Sequence, residues 1–236
     1  MESLSSENIS TGVVTGACTV KLLNLGITSY KDTWDLQKKI QRSLIEGTGE
    51  EKLILCSHHP VITIGKSGDK SNLLASEQTL KEKNISFFEI ERGCDITFHS
   101  PEQIILYPIL SLENEERDVG KYMRNLEEVI IRTLKDFSIP AVRNSGKTGV
   151  WVENNAQLPI RKISSIGVKM SRWKTLHGAS LNVLNCQKGF DLITPCGING
   201  VLMTSIEEEL KEKISFNVIE EKLVKNFVDV FNRKIK

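Results

Sequence analysis

Two hundred and thirty-six residues, 39% hydrophobic and 26% charged with 16 glycines and 6 prolines, describe an ordinary folded chain and exclude disorder, collagen and mucin-like stalks. Lys and Arg number 31 against 30 Asp and Glu, a formal charge of +1, so no global basic field argues for nucleic acid and no acidic excess for a solvating tail. No apolar run approaches the roughly 18 residues of a membrane-spanning helix. Five cysteines (Cys18, Cys56, Cys94, Cys186, Cys196), odd in number and irregularly spaced, speak against a disulfide framework and for a cytoplasmic chain with reduced thiols.

Residues 1–16 carry Glu2, Glu7 and many serines without a basic start, so they read as a flexible tail and not as a leader, with 17–236 as a single domain. Ser29 followed by Asp32 reads as a helix N-cap, and Leu36, Ile40 and Leu44 predict a helix ending near Gly47. Short aliphatic runs then predict strands at Lys52 to Cys56, Val61 to Ile64, Phe87 to Ile90, Asp95 to Phe98 and Ile104 to Tyr107. From Asp118 the period changes: Val119, Tyr122, Met123, Leu126, Ile130, Leu134 and Phe137 form a helical stripe halted by Pro140. Strands are predicted again at Gly149 to Val152, Lys162 to Met170 and Ala179 to Val183, and Val218, Ile219, Leu223, Phe227 and Phe231 mark a closing helix. The irregular alternation predicts an α+β fold, a mixed and mostly antiparallel sheet flanked by helices.

Two familiar patterns fail. Ser145-Gly146-Lys147-Thr148 resembles the end of a phosphate-binding loop, but Ala141 stands where that loop needs glycine and a strand, not a helix, follows. Gly65-Lys66-Ser67-Gly68 reads as a turn. His58, His59, His99 and Cys186 lack metal-ligand spacing, so no metal and no cofactor is expected.

Polar residues gather at the ends of predicted strands in three segments: Glu91 to His99; Lys162 to Lys169 with His177 to Asn182; and Phe190 to Ile198. Each alone has a bland reading: a surface ion pair for Arg92, a turn histidine for His99, a strand-edge charge for Lys162, a small buried hydrophobe for Cys196. In combination they resemble the octanoyl-[acyl carrier protein]:protein N-octanoyltransferases of lipoate biosynthesis, over about Leu22 to Ile206. The resemblance is carried by His59-Pro60-Val61-Ile62-Thr63-Ile64-Gly65, Asn72-Leu73-Leu74, Arg92-Gly93-Cys94-Asp95-Ile96-Thr97-Phe98-His99, Tyr107-Pro108-Ile109, Gly149-Val150-Trp151-Val152, Lys162-Ile163 with Gly167, His177-Gly178, and Phe190-Asp191-Leu192-Ile193 with Pro195-Cys196-Gly197.

This resemblance implies a biotin/lipoate protein ligase-like domain, a nucleophile at Cys196 and a lysine that tunes it at Lys162. It also implies a substrate groove from Arg92, Gly93, Cys94, Asp95, Ile96, Thr97, Phe98 and His99, from Ser165, Ile166 and Gly167, and from Gly178, Ala179 and Ser180. The implied partners are octanoyl-acyl carrier protein and the lipoyl domains of 2-oxoacid dehydrogenases and glycine-cleavage H-type proteins, with neither nucleic acid nor membrane.

Elementary chemistry agrees with that carry-over. A free thiol titrates near pH 8.5 and a neighbouring ammonium favours its anion; thioester exchange followed by amide formation needs no nucleotide. The stretch Arg143 to Lys174 sets seven cations against the single Glu153, a local charge suited to acidic carrier domains. The chain departs from the family where glycines are replaced by Cys94, Ser100 and Glu102, which predicts a narrower groove, more polar at its mouth. The competing readings are an ATP-dependent lipoate ligase or amidotransferase of the same fold, and a non-catalytic binder of acyl chains or carrier proteins.

Overall fold

The structure is a computed structural model and describes residues 18–153 and 160–236. The predicted tail, residues 1–16, lies outside the described residues. Twelve strands are found among them: β1 Cys18–Thr28, β2 Lys52–His58, β3 Val61–Ile64, β4 Ser86–Glu89, β5 Ile96–His99, β6 Gln103–Ile109, β7 Ala141–Asn144, β8 Lys147–Val152, β9 Arg161–Ser171, β10 Lys174–Asn182, β11 Leu202–Met203 and β12 Arg233–Ile235. Helices are α1 Tyr30–Ile45, α2 Glu77–Glu82, α3 Val119–Lys135, α4 Gln187–Phe190, α5 Ile206–Leu210 and α6 Phe216–Phe231. None is long and apolar enough to cross a membrane.

The large sheet runs β12-β1-β2-β6-β10-β9-β8-β7, with β11 beside β9; β1 is parallel to both neighbours and β2 through β7 are antiparallel. This is the expected mixed, mostly antiparallel α+β architecture. A second sheet, β4-β3-β5, stands apart from it. Strand alternation sorts the core by face. Leu53 and Leu55 of β2, with Ile104 and Leu106 of β6, meet Leu126 and Ile130 of α3 and Leu223 and Phe227 of α6. Ile54, Cys56, Ile105 and Tyr107 turn the other way, onto Ile40 and Leu44 of α1. Both central strands are therefore buried on two faces, which is why they read as unbroken apolar runs.

Helix starts follow local chemistry. The Ser29 hydroxyl accepts from the Asp32 amide and Asp118 accepts from the Lys121 amide, each satisfying an otherwise unpaired N–H of the first turn. The helix before Pro140 stops at Lys135, because Ser138 already has a φ of +59°. The chain end is pinned by charge: Arg233, with a side chain only 3% exposed, pairs with Glu51 at 2.7 Å and with Glu116 at 2.8 Å. Removing one partner of a buried pair strands the other, so Arg233→Ala should lower unfolding stability by about 3–5 kcal/mol. Denaturant titration checks this, and a loss below about 1 kcal/mol would show that the pair is dispensable.

Candidate active site

Between the two sheets lies a cavity with a largely apolar lining that a few polar groups enter, the general character of small-ligand sites. Ile96, Thr97 and His99 of β5 form one wall. Ser165 to Gly167 of β9 and His177 to Ser180 of β10 form the other, and Tyr30, Ile105 and Tyr107 close it. Arg92, Cys94 and Cys196 stand along it as well. Of the residues expected to form the groove, Gly93, Asp95 and Phe98 do not line this cavity, and each is placed elsewhere by a specific contact.

The Gly93 amide donates to the Val168 carbonyl at 2.8 Å and ties the loop to β9. Phe98 points away from the cavity and packs edge-on against Phe190. Asp95 accepts from the Asn72 side chain at 2.6 Å beneath the Pro195–Gly197 turn. A Cβ on Gly197 would come within 2.2 Å of the Asp95 carboxylate, and its φ is +66°, so only glycine lets the turn sit on this support. Cys196 itself has φ +58°. The Gly197 amide donates to Thr194 within the turn.

The Lys162 side chain is 1% exposed on β9, and its Nζ donates to Cys196 Sγ at 2.8 Å and to the Thr148 carbonyl at 2.8 Å. The aromatic face of Trp151 lies 5.3 Å away. Lys162 thus stands beside the thiol and not in the cavity wall. The Arg92 guanidinium is buried too, donating to Thr63 and to the Gly93 carbonyl. Among the described residues no ion pair links it to a carboxylate. One buried cation, Lys162, is thus in contact with the thiol, while Arg92 is a second buried cation, lining the cavity that Cys196 also lines. A thiol held against an ammonium is a recurrent setting of nucleophilic cysteines.

The remaining polar lining is uncharged or ready to donate. Burial pushes His99 down to about 3 and His58 to about 4, so both imidazoles are neutral at pH 7. Thr97 Oγ1 is buried without a hydrogen-bond partner, and His177 Nε2 lies 3.7 Å from Glu91 Oε1. Other thiols differ in setting. Burial pushes Cys186 up to about 12 and also raises Cys94, whose Sγ donates to the Ile166 carbonyl at 3.3 Å.

Cys94 has φ +68°, whereas Ser100 and Glu102 are not among the residues with positive φ and neither lines the cavity. Of the three replaced glycines only Cys94 can narrow it. Of the seven cations expected to form a basic face, four are paired or interior: Arg143 pairs with Glu127 and Glu128, Arg161 with Glu209, Lys174 with Glu113, and Lys162 is buried. Ser145-Gly146, read as a failed phosphate loop, is the two-residue turn between β7 and β8.

Sequence reasoning missed Tyr30, Ile105, Tyr107 and His177 in the lining. Ile105 and Tyr107 share a face by the period-2 rule, so alternation could have found them once the face was known. Tyr30 carries no such signal; it arrives from α1 and stacks on His99 at 6.3 Å.

The profile of the lipoyl protein ligase A/B catalytic domain matches residues 29–228. The octanoyltransferase of Christiangramia forsetii is 44% identical over 230 residues, spanning 92% of this chain and 97% of that protein. That of Flavobacterium psychrophilum is also 44% identical, over 91% of this chain and 97% of that one. Among solved structures, a lipoate-protein ligase A bound with ATP superposes with a TM-score of 0.74 at 14% identity, covering 92% of this chain and 87% of the other. At that identity the likeness concerns the fold.

Proposed function

The chain belongs to the lipoyl protein ligase A/B catalytic-domain family, as an octanoyltransferase of lipoate synthesis, and from that premise we propose a two-step thiol mechanism for it. The observation that carries the mechanism is the 2.8 Å contact between Lys162 Nζ and Cys196 Sγ, with Cys196 lining the cavity between the sheets. The Cys196 thiolate attacks the thioester carbonyl of octanoyl-acyl carrier protein. The C–S bond to the carrier breaks, its thiolate takes a proton from Lys162, and octanoyl-Cys196 remains. The amine of a lipoyl-domain lysine then attacks that thioester, giving the amide and releasing the Cys196 thiolate while the neutral Lys162 amine removes the proton.

In this reading the octanoyl chain lies along the apolar lining residues Ile96, Ile105, Ile166 and Ala179, which favour burial of an alkyl chain. Lipoyl domains of 2-oxoacid dehydrogenases and H-type proteins of glycine cleavage are the proposed acceptors. Because acylation exchanges one thioester for another, no nucleotide is consumed, and the ATP-dependent ligase reading is the weaker one. Intact-mass analysis after incubation with octanoyl-acyl carrier protein, with and without ATP, tests the proposal. An octanoyl adduct on this chain without ATP is the expected result; no adduct, but octanoylation of an added lipoyl domain from free octanoate and ATP, favours a ligase, and the absence of both favours a binder.

Cys94 supplies a further prediction. A non-glycine residue at positive φ carries strain of about 1–3 kcal/mol, and its side chain lines the cavity. Cys94→Gly should relieve the first and widen the second. Competition between octanoyl and decanoyl carrier substrates should then shift toward decanoyl several-fold, and an unchanged ratio would mean that this position does not set chain length.

A further inference from the structure

We propose that Glu127 is a positioning residue for Lys162, acting through the single peptide unit between Thr148 and Gly149. This inference rests on the acyl-transfer reading above, in which Lys162 must stay beside Cys196. The Thr148 carbonyl accepts from Lys162 Nζ at 2.8 Å, and the Gly149 amide of the same peptide donates to Glu127 Oε1 at 3.3 Å. In a trans peptide these two groups point to opposite sides, so the carboxylate holds one edge of the plane while the ammonium rests on the other.

The need for such an anchor follows from the glycine. Gly149 has φ +115°, and a Cβ there would lie 2.4 Å from the Ser164 carbonyl and 2.7 Å from Lys162 Cε. Glycine is therefore what makes room for the lysine, yet glycine also leaves the adjoining peptide free to rotate. A charged acceptor on the N–H removes that freedom and polarises the C=O toward the ammonium. Glu127 is itself held, on α3 among the fully buried Leu126, Val129 and Ile130, and its second oxygen accepts from Arg143 Nε at 3.1 Å.

The test alkylates Cys196 with iodoacetamide at fixed pH and, separately, measures the rate of acylation by octanoyl-acyl carrier protein. Arg92 and Cys94, which also face Cys196 electrostatically, stay unchanged in every variant. Glu127→Ala should slow both reactions roughly ten- to a hundredfold, the scale of a misplaced catalytic group. Glu127→Gln, which keeps an oxygen acceptor, should restore most of the rate, and Arg143→Ala, which removes one contact of Glu127 but leaves its acceptor oxygen on the peptide, should slow the reactions far less than Glu127→Ala.

Should the alanine variant fail to fold, Glu127→Met keeps the side-chain length without the acceptor and carries the same expectation. Wild-type alkylation in Glu127→Ala or Glu127→Met would overturn the proposal. So would a Gln variant as slow as Ala, or an Arg143→Ala variant as slow as Glu127→Ala, which would make Glu127 a mere ion-pair partner. A wild-type protein that takes no octanoyl group would instead remove the acyl-transfer reading, leaving the alkylation comparison to decide the role of Glu127.

Discussion

Cys196→Ala should take up no octanoyl group and should lose transfer to a lipoyl domain by about 10⁴-fold or more, the order seen when a nucleophile is removed from a covalent mechanism. Cys196 is the thiol in contact with an ammonium, while burial raises Cys56, Cys94 and Cys186 and keeps them as thiols. Substituting Cys56 or Cys186 by alanine should leave the adduct in place. Peptide mapping of the acylated protein locates the label, and an undiminished adduct in Cys196→Ala would remove the thiol from the mechanism.

Lys162→Arg should separate the two half-reactions. A guanidinium keeps the cation beside Cys196 but is effectively never deprotonated, so it can stabilise a thiolate and cannot accept a proton from the incoming amine. Octanoyl-Cys196 should still form, but more slowly, because a guanidinium cannot protonate the departing carrier thiolate and a larger group must fit a site that is 1% exposed. Its discharge to a lipoyl domain should fall by about 10²–10⁴, the usual scale for a lost acid or base. Single-turnover mass spectrometry reads loading and discharge separately. Discharge at the wild-type rate would show that Lys162 acts only as a charge.

The elements most legible in the chain were those whose burial is one-sided or whose ends carry their own caps. α1 and α3 could be read from Ser29, Asp118 and their apolar stripes, and α6 from Ile219, Leu223 and Phe227. Central strands β2 and β6 could be read because burial on both faces leaves an uninterrupted apolar run. β1 was not predicted: its pattern mixes exposed and buried residues, and its place between β2 and β12 comes from pairing partners remote in sequence. β7 and β12 are three or four residues long, too short for any period to emerge. β10 was expected to begin at Ala179 and begins at Lys174, since His177 and Gly178 look like a turn until β6 and β9 flank them.

Residue order along the chain carried the family resemblance, and through it the proposal of Cys196 as nucleophile, Lys162 as its partner and the groove segments; taken singly, each of these residues has a bland reading. Tertiary structure alone decided which side chains face the cavity. Phe98 leaves it for Phe190 while Tyr30 and Tyr107 enter, as strand registry and helix placement dictate. It also dispersed the cations of Arg143 to Lys174, since neighbours in sequence alternate across a sheet and meet carboxylates from other elements. Glu127 was invisible for the same reason: on α3 it is one acidic residue among several, and it gains meaning only from a peptide that folding brings against it.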